Sequence, residues 1–375
     1  MASITTIGEK GDRTYRARWR TPDGASRSRT FPRKVDAEAW LTRVESSKLV
    51  GGYVDQAAGR RTFGEYATAW AAAQPHRATT TASVEQILRV HVLPTFGARQ
   101  IATVRTSEVQ AWVSGLELAP STVAVVYGKV VAIFRAAVED RVIAHSPCTR
   151  RIRLPRTEGA EVVPMAAEQV RAMAETVNER YRALVVLLAG SGLRPGEALG
   201  LTLDRVDFLR RTIRVDRQLV TVAAEPPRLA PAKTPSSVRT IPAPSSVLDA
   251  LAGHIERSGS GPLGLVFTDS KGEPIRRSAL GHQWRRAASS AGVDGFTPHS
   301  LRHYAASILI DQGASVKAVQ RHLGHSSATT TLDTYAHLWP DSEDITRRAL
   351  EAGLRDLRAR EPSRLQRSST STSQS

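Results

Sequence analysis

The sequence predicts a multidomain, mainly α-helical protein with small antiparallel β-sheets (α+β). A sheet-plus-helix domain comes first, then a helical domain, then a mixed α/β domain. Three observations carry this. Period-two alternation is confined to the N-terminus and to segments between Val206 and Pro242, whereas apolar residues elsewhere recur at helical spacing. Two stretches without periodicity, GGYVDQAAGRR and RRIRLPRTEGAEVVP, punctuate the chain. Finally, 375 residues are enough for two or three domains with cores of their own. The boundaries expected are 1–55, 62–149, a linker at 150–164, 165–360, and a low-complexity, disordered tail at 361–375 that ends SSTSTSQS.

The first domain opens with ITTI, a turn at GEKGD, and TYRARWR, in which Tyr15, Ala17 and Trp19 face one way and Arg16, Arg18 and Arg20 the other. SRSRTF follows a TPDGA turn, with Arg27 and Arg29 again on one face. The expectation is a sheet face of five arginines and no acid, suited to the major groove of DNA. VDAEAWLTRVESSKL packs back as a helix through Trp40, Leu41 and Val44. In the second domain TFGEYATAWAAAQ places Phe63, Tyr66, Ala69 and Trp70 on one helical face, so these aromatics read as core. SVEQILRVHVL, SEVQAWVSGL and STVAVVYGKVVAIFRAAVEDRVI continue the helical pattern. The third domain begins with helices AEQVRAMAETVNE and YRALVVLLAGSG, passes through strand-like VDFLRRTIRVDRQL and KTPSSVRTIPAP, and returns to helices around Val247, Trp284, Tyr304 and Val319. Asp341 or Ser342 is placed to cap a closing amphipathic helix that runs to Arg358 with Ile345, Ala349, Leu350, Leu354 and Leu357 apolar.

A formal net charge of +16, from 52 Lys and Arg against 36 Asp and Glu, points to a polyanionic partner, because each phosphate neutralised releases counterions. No apolar run of about 18 residues and no signal-peptide core is evident, which disfavours a membrane partner. The single cysteine, Cys148, excludes a disulfide framework and a cysteine-based zinc finger. A cytoplasmic protein is expected.

GSGLRPGE begins like a dinucleotide fingerprint at Gly190 and Gly192, but Pro195 stands where the third glycine is needed, so that reading fails. Its charges are more informative: Arg194 can aim a planar fork at a phosphate while Glu197, one turn on, orients it. In TPHSLRHYAAS, His299 and Arg302 lie three apart after Pro298, an unfavourable pairing of imidazole and guanidinium unless an anion sits between them. His299, His303, His322 and His325 invite a metal reading, but Asp311 and Asp333 are the only acids nearby and the spacings match no zinc pattern; no metal is expected. Lys233, between two strand-like segments, is expected at a hairpin tip. Tyr335 lies near the end of the Thr-rich run HLGHSSATTTLDTYAH, whose weak helix propensity suits a segment that shifts between two placements. Read alone, Tyr335 is a half-buried packing residue.

Arg194 in SGLRPGE, Lys233 in AKTPSSVRTIP, His299 and Arg302 in HSLRH, His325 in HLGHSS and Tyr335 in TLDTY occur in one order across residues 165–340. In that order and spacing the chain resembles the tyrosine recombinases, in particular phage-type integrases. The resemblance extends more weakly to residues 62–148, like that family's helical core-binding (SAM-like) domain, and to residues 4–49, like its arm-type DNA-binding domain. It implies a tyrosine-recombinase catalytic domain that cuts and rejoins DNA without metal, ATP or other cofactor. Tyr335 would be the nucleophile, forming a 3′-phosphotyrosyl bond; Arg194 and Arg302 would stabilise the phosphate, and Lys233 would protonate the leaving 5′-oxygen. His299 would assist proton removal from Tyr335, His325 would hydrogen-bond the phosphate, and Glu197 would buttress the site. The implied partners are double-stranded attachment-site DNA, a homotetramer exchanging strands through a Holliday junction, and an accessory DNA-bending protein and excisionase. Two other readings stand beside it: a DNA-binding architectural protein without catalysis, and a chromosome-maintenance recombinase of the same chemistry.

Overall fold

The computed structural model describes residues 2–9, 12–22, 24–49, 53–54, 58–156, 161–222, 225–339 and 342–358. The expected cap Asp341, the tail 361–375 and part of each linker lie outside them. The chain divides into two compact units, Met1–Gly159 and Ala160–Ser375.

The first unit begins with an antiparallel sheet in the order β1 (Ser3–Ile7), β2 (Thr14–Arg20), β3 (Ser26–Phe31), followed by α1 (Lys34–Leu49). Ala17, Trp19, Ala37, Leu41, Val44 and Tyr53 form its core, and the Trp19 indole donates to the Tyr53 hydroxyl at 2.8 Å. The register corrects the expected arginine face. Arg27 lies opposite Trp19 and Arg29 opposite Ala17. Directly opposed residues share a face, so these two arginines belong to the helix side, where the Arg29 guanidinium stacks 4.4 Å from the Trp40 ring. The open face carries three arginines, not five. Arg16 is opposite Thr5 and Thr30, Arg18 opposite Ser3 and Ser28, and Arg20 opposite Ser26, so hydroxyls flank the whole arginine row.

The rest of this unit is helical: α2 (Phe63–Ala73), α3 (Ala78–Ile87), a π-helical turn Leu88–Val92, α4 (Leu93–Phe96), α5 (Thr106–Ser114) and α6 (Pro120–Glu139). Thr62 and Glu65 close a reciprocal capping box that starts α2. Phe63, Phe96, Phe134 and Trp112 meet at the centre, with the Phe63 ring 5.1 Å from Phe134 and 5.9 Å from Phe96. Phe134 is wholly buried, so Phe134→Ala is expected to cost about 3–5 kcal/mol in urea unfolding through lost burial and the cavity left behind. A loss below about 1 kcal/mol would show that this aromatic cluster does not hold the bundle.

α6 is long and apolar enough on average to cross a membrane, although Lys129 and Arg135 interrupt its apolar residues. Val123, Val126, Val130, Ile133, Phe134 and Ala137 turn one face of it into the bundle core.

The second unit contains α7 (Ala167–Thr176), α8 (Glu179–Ser191), α9 (Pro195–Leu199), β4 (Val206–Asp207), β5 (Thr212–Val215), β6 (Arg217–Val220), β7 (Arg228–Pro231), β8 (Arg239–Pro242), α10 (Ser245–Ser258), α11 (Arg277–Ser290), α12 (Ser300–Asp311), α13 (Val316–Leu323), α14 (Ala328–Tyr335) and α15 (Ser342–Arg358). The predicted single strand-like stretch is broken twice. Arg211 turns with φ 53°, and Asp216, between β5 and β6, accepts from Arg205 and Arg217 at 2.9 Å each. Two sheets result, β4-β5-β8 and β6-β7. A main core surrounds α8, while Ala306, Ile310, Val319, Leu323 and Tyr335 form a small separate cluster among α12, α13 and α14.

Candidate active site

Two glycines in the left-handed region build the site's frame. Gly192, φ +62°, ends α8, and Gly324, φ +68°, ends α13. A Cβ on Gly192 would stand 2.8 Å from Leu323, and one on Gly324 would stand 3.0 Å from Arg239 and from the Ser236 carbonyl. Both turns therefore need glycine twice over, for conformation and for space. Each presents its carbonyl to an arginine. Arg302 donates to the Gly192 oxygen at 2.7 Å and to the Leu323 oxygen at 2.7 Å; Arg194 donates to the Gly324 oxygen at 3.2 Å.

Arg302 is 2% exposed, and burial followed by the Arg194 charge pushes its pKa down to about 9, so it remains a cation at neutral pH. Arg194 occupies the N-cap position of α9 and ion-pairs with Glu197 at 2.9 Å, where its backbone N–H also reaches that carboxylate at 3.0 Å. A third arginine shares the same acid: Arg239 on β8 donates to Glu197 at 3.1 Å and to the His322 carbonyl at 2.7 Å. Burial raises the Glu197 pKa, but the Arg239 charge and hydrogen bond, then those of Arg194, outweigh it and hold the carboxyl below its ordinary range. Two guanidiniums thus bind one carboxylate while a third, Arg302, lies within its electrostatic reach, leaving the cluster short of an anion.

The imidazoles are neutral at neutral pH. Burial, then the neighbouring His303 and Arg302, take His299 down to about 4; burial, then Arg302 and Arg194, do the same to His325. His303 and His322 are lowered as well, first by burial. Tyr335 is 1% exposed and its phenol is raised by burial, against the opposing pull of Arg302 and Arg194. Its hydroxyl meets Nδ1 of His303 at 2.8 Å. His325 stacks parallel to the Tyr335 ring at 6.3 Å and pairs through Nδ1 with the Thr331 hydroxyl at 2.9 Å.

Arg194, Glu197, His299, Arg302, His325 and Tyr335 therefore converge, as their mutual electrostatic influence also shows. Lys233 does not join them, and the expected hairpin tip is absent. β7 pairs with β6 and β8 with β5, so the exposed Lys233 lies on a link between two sheets. Pro231 closes one strand and Pro235 opens a 3₁₀ turn, Pro235–Ser237, which redirects the chain. That link still touches the site: the Thr234 hydroxyl lies 2.9 Å from Ser237, whose hydroxyl accepts from Arg194 at 3.4 Å.

Sequence reasoning missed Arg239 and the contact of His303. Arg239 alternates with the wholly apolar Ile241, a sign that it points inward. His303 follows His299 by four residues, which puts both rings on one helical face, 5.1 Å apart. The Thr-rich run is helical as α14, its start capped by the Ser327 hydroxyl accepting from the Thr330 N–H.

Residues 164–341 match the family model described as the phage integrase family. A prophage phiRv2 integrase of Mycobacterium tuberculosis is 28% identical, over 86% of this chain and 88% of that protein. A XerC-like tyrosine recombinase of Caldanaerobacter subterraneus is 32% identical over 55% of this chain and 60% of its own length. Among solved structures, the Tn1549 transposon integrase in complex with a circular intermediate DNA superposes with a TM-score of 0.68 at 24% identity, over 78% of this chain and 99% of that one; this likeness concerns the fold.

Proposed function

We propose that the chain is a tyrosine recombinase acting on double-stranded DNA, as the match of residues 164–341 to the phage integrase family supports, and that it cuts and rejoins attachment-site strands through Tyr335. The observation that carries this reading is the Tyr335 phenol set among guanidiniums that outnumber their carboxylate partner. A phosphodiester is the anion that such a cluster lacks. Arg194 and Arg302, held by glycine-turn carbonyls, would receive the non-bridging oxygens without reorganisation. Tyr335 would attack phosphorus, giving a 3′-phosphotyrosyl bond and a free 5′-hydroxyl. Lys233, on its exposed link, would swing in with the DNA and protonate that oxygen. His325 would hydrogen-bond the phosphate; His299, expected to assist proton removal from Tyr335, meets the His303 ring and not the phenol oxygen, so it too would serve the phosphate, and Glu197 would hold Arg194 and Arg239 in place. Because the phosphotyrosine keeps the energy of the broken bond, a new 5′-hydroxyl can reseal it without ATP.

Recombination by strand exchange requires two duplexes. We place four protomers on them, exchanging one pair of strands at a time through a Holliday junction, with Leu350 and Leu354, both exposed on α15, available to a neighbouring protomer. An accessory DNA-bending protein and an excisionase would set direction, and the reaction would run on bacterial nucleoid DNA in the cytoplasm. The test is a nicked attachment-site duplex, which should trap a covalent protein–DNA adduct.

We assign arm-type DNA binding to residues 1–55 and core-site binding to residues 62–149. On the first sheet, the Arg16, Arg18 and Arg20 row would contact DNA, while Arg27 and Arg29 face the helix. Replacing the three row arginines with Ala should weaken DNA binding and flatten its dependence on log salt by about 2–3, close to one per phosphate contact. Arg29→Ala should leave that slope unchanged in the same titration, because its guanidinium is spent on Trp40.

A further inference from the structure

We propose that His303 is the catalytic base that takes the proton from the Tyr335 hydroxyl. This rests on Tyr335 being the nucleophile. The His303 Nδ1 lies 2.8 Å from that oxygen, hydrogen-bonding distance for direct transfer, and the two rings meet edge to face with centroids 5.6 Å apart. His299 contacts the His303 ring, not the phenol oxygen, in a T-shaped pair at 5.1 Å. The His325 Nδ1 is engaged with the Thr331 hydroxyl. Lys233 stands on the exposed link. Among the described residues, then, the imidazole of His303 is the basic group seated on the reacting atom.

Its surroundings suit the task. His303 and Tyr335 sit on different helices, α12 and α14, which the small cluster of Ala306, Ile310, Val319 and Leu323 packs together. Burial and then the Arg302 charge keep the imidazole unprotonated at neutral pH. With its own proton on Nε2, it has a lone pair at Nδ1 directed to the phenol. In cleavage the Tyr335 proton passes to Nδ1, and the phenolic oxygen's electron pair forms the bond to phosphorus. The bond from phosphorus to the 5′-oxygen breaks, its electron pair leaves with that oxygen, and Lys233 supplies the proton. Resealing runs in reverse: the imidazolium returns its proton to the departing phenolate. An imidazolium beside Arg302 is disfavoured unless the phosphate lies close by, so the transfer is tied to an occupied site.

The opposite possibility is that the same contact is only a latch on a buried tyrosine, and the two differ in sign. Single-turnover cleavage of a nicked duplex by the full chain should fall roughly 10²–10⁴-fold in both His303→Ala and His303→Asn, the scale of a lost general base. Asn keeps a polar group near the Nδ1 position but takes no proton, and it guards against a folding defect in the Ala variant. DNA binding measured on the same preparations should remain at the parental level. A 5′-bridging phosphorothioate, whose sulfur leaves without a proton, should restore Lys233→Ala but not His303→Asn. Difluorotyrosine at position 335, which ionises more readily, should restore His303→Asn. Parental or faster cleavage in His303→Asn overturns the proposal, as does rescue of that variant by the phosphorothioate. An adduct formed by Tyr335→Phe would instead remove the nucleophile reading itself, whatever the His303 variants do.

Discussion

Tyr335→Phe should bind attachment-site DNA like the parent protein and form no covalent adduct, with strand cleavage reduced by roughly a millionfold, the scale of deleting an enzymatic nucleophile. The two outcomes separate because ring and hydroxyl do different work. The ring is 1% exposed and packs with Ala306, Ile310, Val319 and Leu323 in the small cluster. Phenylalanine keeps nearly all of that volume. Among the described residues the hydroxyl hydrogen-bonds to His303, and losing that bond costs about 1 kcal/mol, too little to unfold the domain. The arginines and the basic sheet face are untouched, so affinity should hold. A denaturing gel of the nicked-duplex reaction reads the adduct directly. A persisting adduct band in the Phe variant would place the nucleophile elsewhere. A merely slowed reaction would make Tyr335 the packing residue that its burial suggests.

The motifs were legible because their logic is local. SGLRPGE holds a helix end, a left-handed glycine, an arginine and its carboxylate within seven residues, and the structure keeps that unit intact. The core placement of Phe63 and Tyr66 on α2 is equally local. What escaped depends on pairing between distant segments. Alternation assigns Arg16, Arg18 and Arg20 to one side of β2 and Arg27 and Arg29 to one side of β3. Which side of β3 joins which side of β2 is fixed by register, and a shift of one residue inverts it. The hairpin expected around Lys233 failed for the same reason: two strands adjacent in sequence paired with other partners. His303 was visible only as one histidine of four. Its meaning comes from α14, 32 residues further on, and nothing in HSLRH announces which ring will meet the phenol.

Glu197→Gln should cost about 3–5 kcal/mol of stability, the scale of removing one partner from a buried ion pair, and should slow cleavage more than it weakens binding. Glu197 is 5% exposed and the Arg239 side chain 6% exposed, so water cannot replace what is lost. The amide retains acceptor capacity for one or two of the four donors now aimed at the carboxylate, but not the charge that balances Arg194 and Arg239. The pH dependence has a definite sign. The folded-state pKa of Glu197 lies below its unfolded value, because the Arg239 and Arg194 interactions outweigh burial. Its stabilisation is therefore present above the ordinary carboxylate range and is lost as pH falls through the folded pKa. Urea unfolding across about pH 3–7 should show a smaller acid loss in the Gln variant, because this carboxylate is no longer there to be protonated. Unfolding curves as steep with pH as the parent's would mean that Glu197 is not the acid-sensitive group. Function should split in a way that a purely structural role would not produce. A phosphate entering the site can stand in for the missing charge, so DNA binding is expected to change little. Arg194, no longer anchored by Glu197, would meet that phosphate in a displaced geometry, and a misplacement of about 1 Å is enough to slow the chemical step roughly a hundredfold. Arg239→Ala should add little to the loss in Glu197→Gln, because both substitutions break the same buried pair.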